Sequence, residues 1–195
     1  MKKHLGILLI LNFLWSSDNI GWEVLTEQPV FIKVLKSNYP HCHAELVIDE
    51  SIDVILKVIQ DVNSYKLFFD SIDISDINDK GEVRLGIDMP FPFSNRDYTV
   101  KFNRLDEENK ISYLYDSIIT DDFPEDRGYI RLIHARGGWI LSKTEDKKTL
   151  VVYKWNGDMR GDFPKWAYTK AWIKQGNEIM LNLKEEVKRR NNSND

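Results

Sequence analysis

Few side chains in this sequence stand as a catalytic group would need them. Arg96 precedes Tyr98, Val100 and Phe102 at two-residue steps, which puts all four on one face of a strand. An arginine turned inward there needs a partner, and Asp88, Asp97 or the head group of a bound molecule could each serve. A salt bridge that fixes the neighbouring proline-rich segment is the plainer reading. Arg131 and His134 stand three apart in another run, so on a strand they face opposite sides, one inward and one to water. His134 could serve as a general acid or base, yet a lone strand histidine is ordinarily solvated or hydrogen-bonded. His41 and His43 share a strand face around Cys42, which is half of a metal site with no third ligand at a recognisable spacing. There is no nucleophile elbow, phosphate loop or zinc-protease motif. Neither a metal, a cofactor nor a catalytic role is expected of these residues.

These residues need a frame, and the pattern predicts one. Residues 22–25, 30–35 and 41–48 are β-branched and apolar and read as strands. Asp49, Glu50 and Ser51 then offer helix caps, and Ile52, Ile55, Leu56 and Ile59 recur at helical spacing to about residue 61. A further short helix carries Tyr65, Leu67, Phe68 and Phe69. From 72 to 157 the pattern is that of strands. The clause Met89-Pro90-Phe91-Pro92-Phe93 interrupts it, because two prolines remove donors from any ladder. Tyr98, Val100 and Phe102 then alternate with polar residues, and Ile111, Tyr113 and Tyr115 alternate again as a hairpin partner. Strands over 129–135 and 139–142 join at Gly137-Gly138, and the last strand covers 149–155.

The C-terminal part turns helical. Asp162 or Phe163 caps it, and Pro164 sits in the first turn, where a missing N–H costs nothing. Trp166, Ile173, Met180 and Val187 recur every seven residues, with Thr169, Gly176 and Leu183 between them. The stripe predicts a helix of about 25 residues, roughly 37 Å long. Gly176 costs that helix about 1 kcal/mol relative to Ala. It either leaves room for a ligand or lets the helix settle on a strand.

The bulk numbers agree with a single globular domain. The chain has 195 residues, with 42% apolar and 12% aromatic side chains. A net charge of -4, from 27 basic and 31 acidic residues that are interspersed, offers nucleic acid no cationic face. Lys2 and Lys3 precede an apolar run over 5–15 that would span only about 16 Å as a helix, so residues 1–19 read as a cleaved signal peptide and export to the periplasm or medium is expected, a cytoplasmic protein with a buried N-terminal strand being the alternative. Residues 20–190 form the domain and 191–195 a polar tail. With only one cysteine, Cys42, there is no internal disulfide.

The order of strands, short helices, a long antiparallel meander and one long helix resembles the START-like superfamily, the helix-grip fold shared with polyketide cyclases. Pro90-Phe91-Pro92-Phe93-Ser94-Asn95-Arg96-Asp97 is similar to its proline-aromatic-proline turn followed by Asn-Arg-Asp. Gly128-Tyr129-Ile130-Arg131 and Gly138-Trp139 resemble its next two strands, and Asp162-Phe163-Pro164-Lys165-Trp166 its entry into the final helix. The chain departs from it at Asp158-Met159-Arg160-Gly161, where many members have Asp-Pro-Gly-Gly. It also has Phe102 near the buried basic residue of sterol-binding members, which speaks against a sterol.

The resemblance implies an α+β fold in which a curved antiparallel sheet wraps a long C-terminal helix, with two short helices near the N-terminus. It implies a cavity between sheet and helix for one hydrophobic molecule: a lipid, fatty acid or isoprenoid. The expected lining is Arg96, Tyr98, Phe102, Tyr113, Tyr115, Arg131, Tyr153, Ile173, Gly176 and Met180, with Phe91 and Phe93 at the rim. Expected partners are that molecule and, transiently, a membrane surface, met by a monomer. A cyclase-like enzyme using the same cavity and an envelope interaction protein without a ligand are the alternatives.

Overall fold

The computed structural model describes residues 21–145, 147–161 and 163–192. The expected signal peptide lies outside them. Strands β1 (Trp22–Thr26), β2 (Phe31–Leu35) and β3 (His41–Ile48) lead into helix α1 (Ile52–Gln60), a 3-10 turn (Val62–Ser64) and α2 (Tyr65–Phe68). Strands β4 (Ile72–Ile77), β5 (Glu82–Ile87), β6 (Asn95–Glu107), β7 (Lys110–Ser117), β8 (Tyr129–Arg131), β9 (Arg136–Glu145) and β10 (Lys148–Asn156) follow. A 3-10 turn (Lys165–Ala167) opens the last helix, α3 (Tyr168–Asn192). The sheet runs β1-β2-β3-β10-β9-β7-β6-β5-β4, with antiparallel neighbours, and β8 lies parallel to β6 off that path.

Alternation builds the inner face. Ile32 and Val34 of β2, Val151, Tyr153 and Trp155 of β10, and Leu141 of β9 are buried against α3 and its neighbours. α1 buries Ile55, Leu56, Val58 and Ile59 on one side. Ser51 takes the extended cap position of α1 but makes no side-chain capping bond; Asp53 in the first turn supplies the favourable charge. The far end of α3 is fastened to α1: Arg190 pairs with Asp61 at 2.8 Å, and Asn191 Nδ2 donates to Glu50 at 2.8 Å. Arg189 and Arg190 also grip the buried Glu186. No helix among the described residues is long and apolar enough to cross a membrane.

Three local expectations are revised. The buried stripe of α3 is Trp172, Gly176, Ile179, Met180, Leu183 and Val187, while Trp166 and Thr169 are exposed. A helix drifts by about 20° per heptad from a strict seven-residue repeat, so three heptads rotate Trp166 about 60° away from Val187. Gly137 and Gly138 are not a turn between strands but part of β9. A Cβ on Gly137 would strike the carbonyl of Lys154, and one on Gly138 the carbonyl of Tyr113, so the neighbouring strands pass too close for a side chain. Finally, β6 is not half-buried at its start: Asp97 and Thr99, on the polar side of the alternation, are buried too. Segment 118–132 crosses the outer face of β6: Ile118 and Thr99 exchange main-chain and hydroxyl bonds, and Leu132 N–H donates to Asp97 O at 2.8 Å.

Candidate functional site

Space between sheet and helix is distributed unevenly along α3. At its start an apolar cavity of about 260 Å³ opens to the surface. Met89, Pro90 and Phe93 from the proline clause form one wall, and Met159, Phe163, Trp166, Ala167 and Ala171 the other. Lys170, Lys174 and Glu178 stand at its edge. The clause cannot pair as a strand, so it stands off the helix, and the alanines opposite it leave the gap unfilled. Phe91 projects from the same turn, 96% exposed, and Trp166 is 81% exposed.

Deeper in, the space narrows. A void of about 30 Å³ shares Ile87, Met159 and Gln175 with the mouth cavity as common walls. A second void of about 20 Å³ lies beyond it, and Tyr98, Tyr115 and Tyr153 border both. Rings fill most of this region. Tyr98 stacks on Tyr115 at 5.9 Å, Tyr153 on Trp155 at 5.2 Å, and Trp139 tilts onto Tyr153 at 4.5 Å. Tyr115 and Tyr153 join their hydroxyls at 3.3 Å. Burial pushes the hydroxyls of Tyr65, Tyr98 and Tyr115 well above the ordinary tyrosine value, and that of Tyr153 up to about 12. They stay protonated and neutral. A further cavity at the opposite end, about 360 Å³, is lined by charged hairpin tips such as Asp106, Glu107 and Lys110 and suits water better than lipid.

The expected lining residues fall into three groups. Tyr98, Tyr115, Tyr153 and Phe102 border the inner voids. Tyr113 stacks on Phe102 at 4.6 Å behind that wall. Ile173, Gly176 and Met180 border none of these cavities. A Cβ on Gly176 would lie 2.7 Å from Ile32 Cδ1 and 3.2 Å from the Trp155 ring, so here the glycine seats helix on sheet. Phe93 lines the mouth and Phe91 stands beside it.

Arg96 and Arg131 do not meet the cavities as expected. Arg96 is 1% exposed and pairs with no carboxylate among the described residues; its guanidinium donates to the carbonyls of Ser94, Met159 and Arg160 and lies over the Phe163 ring. It ties the proline clause to the segment before α3. Burial lowers its pKa from the usual guanidinium value. Arg131 points to the outer face and clamps Asp97 with two bonds of 2.8 Å, while Arg84 Nε reaches the same carboxylate at 2.9 Å. Neighbouring strand residues face opposite ways, so Arg96 and Asp97 could not pair with each other. His134 is exposed at the edge of the 30 Å³ void and packs edge-on against Tyr39. His43 is buried and bonds Glu45 at 2.8 Å, and burial pushes the Cys42 thiol up, which makes it inert. Met159, Ala167 and Ala171 escaped the sequence reading. They gave no pattern of their own, and only the fold sets them opposite the proline clause.

Solved structures share this architecture. The STAR-related lipid transfer protein (fragment 25–204) from Xanthomonas axonopodis matches with a TM-score of 0.74 and 20% identity, over 86% of this chain and 99% of that one. Human StAR-related lipid transfer protein 5 matches with 0.80 and 16%, over 89% of each chain. Zhui aromatase/cyclase from Streptomyces sp. R1128 matches with 0.51 and 16%, over 77% of this chain and 94% of that one. No protein-family model and no curated protein matches the sequence. The likeness is one of fold: this is the START-like helix-grip architecture.

Proposed function

We propose that this protein binds one hydrophobic molecule, such as a fatty acid, phospholipid or isoprenoid, between sheet and α3, and exchanges it at a membrane surface. The observation that carries this reading is the apolar cavity of about 260 Å³ that opens outward and shares a wall with a 30 Å³ void, which in turn shares its tyrosines with a 20 Å³ void further in. Ligand pockets commonly measure about 300–1,000 Å³, so a ligand would push back the partition of Ile87, Met159 and Gln175. Met159 is unbranched and adapts readily. Burying a few hundred Å² of apolar surface at ~25 cal/mol per Å² contributes several kcal/mol without any catalytic group.

The mouth also suits a membrane. Phe91 and Trp166 offer rings, and Lys165, Lys170 and Lys174 on the same end offer positive charge to anionic head groups. The basic end of α3 is a poorer candidate, because Arg189 and Arg190 are engaged with Glu186. The cyclase-like alternative draws on the fold shared with Zhui and on His134 at the void's edge. The inner hydroxyls are held neutral, however, and general acid–base work needs a group that titrates near the working pH.

Native mass spectrometry of protein purified from its host without detergent tests the reading. A retained adduct of lipid mass, displaced by a fluorescent lipid in titration, is the expected result. Ligand-free protein that takes up no fluorescent lipid would overturn it in favour of an interaction protein without a ligand.

A further inference from the structure

Among the described residues two buried side-chain polar atoms lack a partner: Asn177 Oδ1 on α3 and, at the wall of the ring-lined interior, the indole nitrogen of Trp155. Trp155 on β10 is 4% exposed, and its indole Nε1–H has no acceptor among the described residues. The other deeply buried indoles are served: Trp172 Nε1 donates to Gly157 O at 3.1 Å, and Trp139 meets the Tyr65 hydroxyl. Buried donors are matched in nearly all native structures, so an exception at a cavity wall points to an acceptor supplied from elsewhere.

Trp155 borders the 30 Å³ void together with Tyr98, Tyr115, Tyr153 and Gln175. That volume takes about one group the size of a water molecule. The Tyr115 and Tyr153 hydroxyls share one bond of 3.3 Å, with the Tyr98 ring stacked on Tyr115. That pair uses one proton in its own bond and has a second to offer. The Trp155 N–H is the donor there with nothing to receive it, whereas each hydroxyl oxygen can itself accept. The charged walls are of both signs and engaged elsewhere: Arg136 bonds Asp116, Arg160 Nη1 donates to Arg131 O, Asp158 Oδ1 receives the Arg160 N–H, and Arg96 is occupied by carbonyls. Burying a carboxylate or phosphate against neutral donors alone would be costly. A neutral oxygen is what fits. The void also has apolar space on both sides, the mouth cavity outward and the 20 Å³ void inward.

We infer that this void recognises a neutral oxygen acceptor carried partway along the ligand's apolar body, a ketone, ester, ether or hydroxyl oxygen received by Trp155 Nε1–H and a tyrosine hydroxyl. The inference rests on the binding function proposed above and narrows its ligand class. A buried water would offer the same acceptor, and the test separates the two sources.

Diphenylhexatriene, a hydrocarbon reporter, is loaded into the full chain and displaced with diheptyl ketone or with pentadecane, probes of equal length that differ by one carbonyl. The ketone-to-alkane affinity ratio should fall roughly two- to tenfold in Trp155→Phe, the span of one neutral hydrogen bond, the alkane serving as the control for apolar packing lost with the ring. In proton–nitrogen spectra of the unaltered protein, the Trp155 indole signal should move when the ketone is added and stay when the alkane is added. An indole signal that ignores the ketone, or a ratio unchanged in Trp155→Phe, assigns the void to a structural water and overturns the inference. The spectral test needs no variant, so misfolding of Trp155→Phe cannot shelter the idea. Equal binding of both probes removes this inference alone, whereas failure of the reporter and both probes to bind removes the binding function along with it.

Discussion

The two halves of α3 meet the same sheet in opposite ways. Around Gly176 the helix rests on Ile32 and Trp155 with no space left for even a Cβ. About one and a half to two and a half turns earlier, Ala171 of α3 and Ala167 of the 3-10 turn before it look across an open apolar cavity at Met89 and Phe93. Small residues occur on the inner face in both places. The difference lies in what stands opposite. A paired strand is held at a fixed distance by its ladder, so a glycine lets the helix close onto it. A proline-broken clause is held off by its own geometry, anchored through Arg96 to the carbonyls of Met159 and Arg160, so an alanine there leaves a gap. A small residue on a helix thus marks a close approach or an opening according to the partner, and only the fold supplies the partner.

The largest expected effect breaks the closed half. Gly176→Leu should gain helix propensity, worth about 1 kcal/mol at most, and lose more through overpacking against Ile32 and Trp155. Overpacked cores lose about 1–3 kcal/mol. Thermal melts should show a destabilised protein, while uptake of a fluorescent lipid by the folded fraction stays unchanged, because the mouth lies elsewhere. A variant as stable as the parent that takes up less lipid would place ligand space under the middle of the helix and erase the contrast between the halves.

A smaller effect reports how dry the closed half is. The folded-state pKa values of Tyr65, Tyr98, Tyr115 and Tyr153 lie above the ordinary value of about 10, that of Tyr153 at about 12, because burial penalises the phenolate. For a raised pKa the associated stability is fully present below the unfolded value and is lost as pH rises through the folded one. Stability from this source should hold through neutral pH and fall as pH rises above about 10, the share of Tyr153 being lost by about 12, with phenolate absorbance of the buried rings appearing together with unfolding. Ionisation of all eight tyrosines near pH 10 in a still-folded protein would mean that water reaches the interior.

Much of this was legible in the sequence, and the limits have physical causes. Periodicity alone gave α1, the long C-terminal helix and the alternating strands, since each is a local pattern read against one buried face. The prolines around Phe91 and Phe93 marked the irregular wall of the mouth. Burial of Asp97 and Thr99 was not legible, because their cover, segment 118–132 with its parallel strand β8, is distant in the chain and carries no local signal. Arg96 drew attention as a candidate anchor, yet its main-chain partners at 159 and 160 lie more than sixty residues away. The unmatched indole of Trp155 looked like any core aromatic, since whether an N–H finds an acceptor is decided by register and rotamer, not by residue type.

The smallest effect on stability, and the sharpest on exchange, belongs to the open half. Phe91 and Trp166 are 96% and 81% exposed, so their rings contribute little to the folded state. Changing both to Ser should leave the melting free energy within about 0.5 kcal/mol, the usual range for surface sites. Each ring, if it enters a bilayer, would contribute about 1.5–3 kcal/mol to docking, and that contribution vanishes in the variant. Transfer of a fluorescent lipid between anionic vesicles should therefore slow by an order of magnitude or more, while equilibrium uptake from solution changes little. The lysines nearby make the same rate salt-sensitive, since charges at a surface are screened within about 10 Å at 0.1 M salt. An exchange rate untouched by the double change would mean that the ligand enters elsewhere. A protein destabilised by it would mean that these rings belong to the core and that the cavity beside them is an accident of packing.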